Sequence, residues 1–337
     1  MIRWAALVLI LLGFALIRFD LRDPGPVRRL TAGATATRYG LPLDVAGYVR
    51  LTAYFRGQAP ADSMIPPYCY RPLVPLIASA LPWGPLTSID VVDLACLLLT
   101  LVLLDRLLFH VGYGMRGRTL GCFLFAASFP TFYYGAIGFV DPAALLALTG
   151  MALAALRGRR LSFAIWLVVG VLIKETNAIM AALPGVEPWA RGTRGEALGR
   201  AAPLALLAVA IVVGIRMLAP FPEPGWLWRP SPVALLENLA RPRALLSLVL
   251  TIGLPGAAAV AALATGRAAR ALSPEHLRFF LTGSALAAAL YLYSLTAAYA
   301  DGRVIWSVYP FLIPMAVAMW APAAPGPASV RAPAVGA

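Results

Sequence analysis

Apolar residues in this chain gather into runs, mostly of about 14 to 22 residues, each long enough to cross a hydrocarbon core of roughly 30 Å as a helix. The period-two alternation of a membrane β-barrel is missing. The pattern predicts an all-α fold: a polytopic transmembrane helix bundle of about ten spans, at 4–17, 88–109, 119–136, 141–156, 161–173, 176–186, 201–219, 244–264, 279–298 and 304–320. The fifth and sixth are short and read equally as one broken hairpin. Only residues 18–87 and 220–243 leave room for structure outside the membrane. A single transmembrane domain therefore covers 1–320, its long first outer loop (18–87) carrying interfacial helices, and an Ala/Pro-rich tail, 321–337, is expected to be disordered.

Composition supports this pattern. Hydrophobic residues make up 61% of the 337 and charged residues only 13%, with a mean hydropathy of +0.79, whereas soluble domains carry about 25% charged residues. The net charge of +13 would suggest a nucleic-acid partner in a soluble protein. Here the basic residues sit mainly in short connections between apolar runs, as orientation signals do, and no nucleic-acid partner is expected. Cys69, Cys96 and Cys122 show neither disulfide nor zinc spacing. Cys69, alone in a loop, is expected to be open to an impermeant thiol reagent. Arg18, Phe19 and Asp20 follow the first run where a small-residue cleavage site would stand, so that run reads as a retained signal anchor.

The arginines of the short loops at 116–118, 157–160, 191–200 and 267–278 fall on one side, so both termini are expected in the cytoplasm, and the expected setting is a bacterial inner membrane crossed several times. The first loop is itself rich in arginine, but long loops are exempt from the rule. Acidic residues sort the other way. Asp20, Asp23, Asp44, Asp62, Asp90, Asp93, Asp141, Glu175, Glu223, Glu237 and Asp301 fall on or near the outer side, against Asp105, Glu187, Glu196 and Glu275 inside.

The candidate chemistry therefore lies at the outer face. The segment from Pro42 predicts an interfacial helix with Asp44 and Tyr48 on one face, Asp44 being either a general base or a first-turn dipole partner. Arg71 heads a short apolar helix of about a dozen residues, placed to meet a phosphate or to snorkel. Asp90 and Asp93, at i and i+3, share a helix face and form a weak divalent-cation candidate, magnesium or manganese. Asp141 precedes Pro142 at a helix start among aromatic residues, placed as cap, site or both. Lys174 and Glu175 are adjacent opposite charges between apolar runs, suited to a phosphate or to an ion pair with each other. Arg303, beside Asp301, is a further cation for an anionic head group. GYGMRG fits the dinucleotide pattern but joins two apolar helices, and His110 and His276 fall on the inner side.

In order along the chain, an outer-loop Asp, YRPLVPLIASAL, FPTFYYGAIGFVDPAALL, LVVGVLIKETNAIMAALP and GRVIWSVYPFLIPMA resemble the GT-C superfamily of integral-membrane glycosyltransferases, especially its bacterial mannosyltransferase-like and dolichyl-phosphate-mannose-type branches. The resemblance covers most of 40–320. It implies a polyprenyl-phosphate sugar donor, a lipid or glycan acceptor, a cavity open to the outer leaflet, and Asp44 as base. Asp141 matches the acid opening the fourth span, Lys174 with Glu175 the pair after the fifth, and Arg303 a phosphate contact. The implied role is in building the cell envelope. The rival classes are a transporter or lipid flippase, permitted by the helix breakers Gly253 and Pro255, and a catalytically idle scaffold.

Overall fold

The computed structural model describes residues 2–18, 42–222, 229–297 and 300–321. The first loop up to residue 41 (with Asp20 and Asp23), Glu223 and the tail from 322 lie outside the described residues. The regular elements among those described are all helices, without a strand. The elements are α1 (Ile2–Arg18), α2 (Leu43–Phe55), α3 (Leu73–Ser79), α4 (Pro85–His110), α5 (Met115–Ala126), α6 (Phe129–Tyr134), α7 (Asp141–Leu156), α8 (Arg160–Ile173), a 3-10 helix (Glu175–Gly185), α9 (Val186–Ala190), α10 (Arg194–Leu218), α11 (Pro232–Leu239), α12 (Pro242–Ala264), α13 (Arg267–Ala271), α14 (Pro274–Ala297), α15 (Gly302–Ile305), a 3-10 turn (Trp306–Val308) and α16 (Tyr309–Val317).

Among the described residues three helices, α10, α12 and α14, are long and apolar enough to cross a membrane. They coincide with the seventh, eighth and ninth expected spans. Shorter apolar helices cover the first, fourth, fifth and tenth. At the centre, α7 packs between α4 and α8, and 13 of its 16 residues are buried. A helix apolar on all sides belongs in the interior.

The second expected span falls on the unbroken helix α4, whereas the third, sixth and tenth are more broken than the hydropathy suggests. The third divides at Ser128, whose hydroxyl donates to the Phe125 carbonyl at 2.8 Å while Pro130 opens α6. The sixth is not α-helical: Glu175–Gly185 winds as a 3-10 helix, whose rise of about 2.0 Å per residue lets a short segment reach further than an α-helix would. The tenth is split into α15, a 3-10 turn and α16. The apolar helix after Arg71 has only seven residues.

Within α12, Gly253 adopts φ 42° and ψ −145°, a conformation open to glycine alone, and two residues later Pro255 has no N–H to offer the Thr251 carbonyl. The Tyr309 hydroxyl donates to that carbonyl instead, at 2.6 Å. Close by, Gly302 packs so tightly on α12 that an added Cβ would lie 2.2 Å from the Ser247 carbonyl oxygen. Its own N–H donates to Ser247 Oγ at 2.8 Å.

Two arginine anchors hold the bundle ends. Arg56, at the end of α2, donates to the carbonyls of Ala78, Ser79, Leu81 and Trp83 and to Ser88 Oγ, at 2.7–3.2 Å, so α2 is fixed to the α3–α4 corner. Toward the other end of α4, Asp105 pairs with Arg3 of α1 at 3.2 Å and with Arg118 of α5.

Candidate functional site

The α2 start, the α6–α7 corner, the α8 end, α12, α14 and α15 surround a cavity of about 480 Å³. Five of the seven residues expected to bind or react line it: Asp44, Arg71, Asp141, Lys174 and Arg303. They come from segments that are distant in sequence. Each is placed by a local feature: Asp44 lies in the first turn after Pro42, Arg71 ends the 3-10 turn Tyr68–Tyr70, Asp141 opens α7, Lys174 is the extended residue that ends α8 (φ −157°, ψ 116°), and Arg303 follows the cap residue Asp301.

Their charges form a chain. Arg303 NH1 donates to Asp44 Oδ2 at 2.5 Å, while Arg303 Nε lies 3.6 Å from Asp141 Oδ2 and 3.9 Å from Asp301 Oδ1. The guanidinium also sits over the Phe139 ring, 3.8 Å from its centroid. Lys174 Nζ donates to Asp141 Oδ1 at 2.7 Å. Asp44 and Asp141 are each 7% exposed, so both carboxylates are largely withdrawn from solvent and neutralised by these cations.

Lys174 and Glu175 do not pair with each other. The extended backbone at Lys174 turns the two side chains apart, and Glu175 accepts both Arg71 Nε (2.8 Å) and Arg71 NH2 (2.7 Å). This two-pronged contact is the geometry a guanidinium favours. Arg71 NH1 donates in turn to the Tyr48 hydroxyl at 2.7 Å. Tyr48 and Glu175, the two expected residues outside the cavity lining, thus stand behind Arg71 and fix it. Burial alone would raise the Glu175 carboxyl, but the Arg71 charge and its hydrogen bonds outweigh burial and hold it down at about 2. At Asp301 burial prevails, and the carboxyl is pushed up despite Arg303.

Asp90 and Asp93 do not join this group. They are 4% and 0% exposed inside α4 and absent from the cavity lining. One Asp90 oxygen and both Asp93 oxygens are buried without a hydrogen-bond partner among the described residues. No group of three or more metal-type ligands occurs among the described residues. The magnesium or manganese candidate at Asp90 and Asp93 thus stands apart from the cavity, on a face of α4 that is buried in the bundle.

Cys69 is likewise displaced from its expected setting. It is 1% exposed, packed with Leu51, Met64 and Tyr70, and burial pushes its thiol up to about 11. A loop position in sequence is a core position here.

The lining also contains residues that the sequence reading did not single out, among them Arg243, Ser247, Asn177, Tyr293 and Trp306. Trp306 is wholly buried, and its indole N–H has no acceptor among the described residues. The one sequence signal for this wall is a cation in the first turn of an otherwise apolar helix, Arg243. Comparison of the chain with protein-family models, with curated proteins and with solved structures finds no match, so its functional reading rests on the cavity.

Proposed function

We propose that the chain is a membrane glycosyltransferase that moves a sugar from a polyprenyl-phosphate donor to an acceptor hydroxyl at the outer face of the inner membrane. The observation that carries this reading is the buried chain Asp44–Arg303–Asp141–Lys174 at a cavity beside helices apolar enough to lie in a bilayer. Carboxylates and cations are both needed for displacement of a phosphate from a sugar, and here they stand within one cavity. The order of segments resembling the GT-C superfamily supports the same reading. So does the arrangement we infer for the membrane, about ten spans with both termini cytoplasmic and the cavity toward the outer leaflet.

In this mechanism the acceptor hydroxyl gives its proton to Asp44 as its oxygen attacks the anomeric carbon. The carbon–oxygen bond to the lipid phosphate breaks, and the phosphate leaves with the electron pair. A phosphate needs no general acid but does need positive charge, which Lys174 and Arg303 supply. Arg303 must release Asp44 for the base to act. Asp141 keeps both cations oriented, and Tyr48 and Glu175 hold Arg71 at the wall.

The test uses purified protein with a polyprenyl-phosphate sugar and a mixture of lipid and glycan acceptors. Release of polyprenyl phosphate is expected, and Asp44→Asn should abolish it. Release that persists in Asp44→Asn removes the base assignment. No release with any donor favours the transporter, flippase or scaffold reading; for a transporter the break in α12 at Gly253 is the supporting observation.

A further inference from the structure

Of the charged residues lining the cavity, Arg71, Lys174 and Arg303 are each tied to a carboxylate, and Asp44, Asp141 and Asp301 each lie within ion-pair distance of a cation. Arg243 is the exception: it is exposed and pairs with no carboxylate among the described residues. An anion that enters the cavity can therefore engage Arg243 without breaking a buried ion pair, whereas engaging Arg303 or Lys174 first would strand Asp44 or Asp141.

The surroundings of Arg243 define what the anion is attached to. Arg243 lies in the first turn of α12, one of the three helices able to cross a membrane. Three and seven residues further on, on the same helix face, Leu246 and Leu250 are 58% and 40% exposed. Ser247, one turn on, faces the cavity together with Leu290 and Tyr293 of α14. Both α12 and α14 pack against α16, which places the cavity wall between two helices apolar enough to cross a membrane. A cation at a cavity mouth with an exposed apolar stripe beneath it matches an amphiphile with one anionic head and a long tail.

We propose that Arg243 is the receptor for the phosphate of a membrane lipid, whose tail lies along α12 while the head group turns into the cavity. A guanidinium is suited to this contact because it presents paired N–H donors to phosphate oxygens. The inference deepens the transferase reading and rests on it for the choice of lipid phosphate as probe, while its test is a binding measurement that needs no turnover.

The full chain in phosphatidylcholine nanodiscs is titrated with farnesyl phosphate, with farnesol and with inorganic phosphate, and binding is followed by calorimetry. Farnesyl phosphate should bind the wild type, and Arg243→Gln should weaken it at least about tenfold, with Arg243→Lys intermediate. Binding of farnesol should not change in either variant. Equal farnesyl phosphate affinity in wild type and Arg243→Gln overturns the proposal. So does inorganic phosphate binding as tightly as the lipid, which would make the site one for free anions. If Arg243-dependent binding persists but no donor supports transfer, the transferase reading fails and this site stands. If transfer persists in Arg243→Gln with unchanged KM, this site fails alone.

Discussion

Arg303 and Asp44 are 259 positions apart in the chain, yet the guanidinium of one donates to the carboxylate of the other at 2.5 Å. The same guanidinium lies 3.6 Å from Asp141. Removing it leaves two largely buried carboxylates with less countercharge, and Arg303→Ala is expected to cost about 3 to 5 kcal/mol of stability. Replacing the pair, as Asp44→Asn with Arg303→Gln, should cost less than Arg303→Ala alone. Unfolding midpoints of the single and double variants in detergent measure both, and equal midpoints for wild type and Arg303→Ala would refute the coupling.

Glu175 supplies a pH signature. Its folded value lies at about 2, below its ordinary 4.5, because of Arg71. The unfolded chain thus binds the proton more readily, and the contribution of the bridge is present above 4.5 and lost as pH falls toward 2. Between about pH 5 and about pH 2.5 the melting temperature of the wild type should fall more steeply than that of Glu175→Gln. Parallel curves would show that Arg71 does not hold the carboxylate in solution.

Tyr309→Phe tests the repair of the broken helix. Without the hydroxyl, the Thr251 carbonyl has neither Tyr309 nor an N–H at Pro255 to accept from, at an expected cost of about 1 to 3 kcal/mol. Gly302→Ala should destabilise by a similar amount, about 1 to 3 kcal/mol, through its contact with the Ser247 carbonyl. Thermal melts of the two variants check both, and a wild-type midpoint in either removes the corresponding contact.

The membrane orientation is open to thiol labelling, although not at Cys69, which is buried. Asp62 and Arg194 are exposed and stand on opposite expected sides. In intact spheroplasts an impermeant maleimide should label Asp62→Cys, and label Arg194→Cys only after lysis. The reverse pattern would turn the cavity toward the cytoplasm.

Much of this architecture is written in local pattern. The runs at 201–219, 244–264 and 279–298 correspond to α10, α12 and α14, because length and apolarity suffice to define a long helix. Asp44 and Tyr48 share the buried face that their spacing requires. Partner choice is not local. Glu175 finds Arg71 across 104 residues and Lys174 finds Asp141 across 33, and nothing in the adjacency of Lys174 and Glu175 announces that their backbone is extended. Hydropathy is also blind to winding, so the 3-10 segment Glu175–Gly185 and the breaks at Ser128 and Trp306 look like uninterrupted apolar runs. Arg243 escaped notice because an arginine at a helix end reads first as an orientation signal.

One peptide unit joins Lys174 to Glu175, and through it the Lys174–Asp141 pair is linked to the Arg71–Glu175 pair. That unit is thus held from both sides, and Arg71 carries the Tyr48 contact with it. The spacing of the two pairs is set by the length of a single peptide. A one-residue insertion between 174 and 175 would uncouple the walls even with every charge retained.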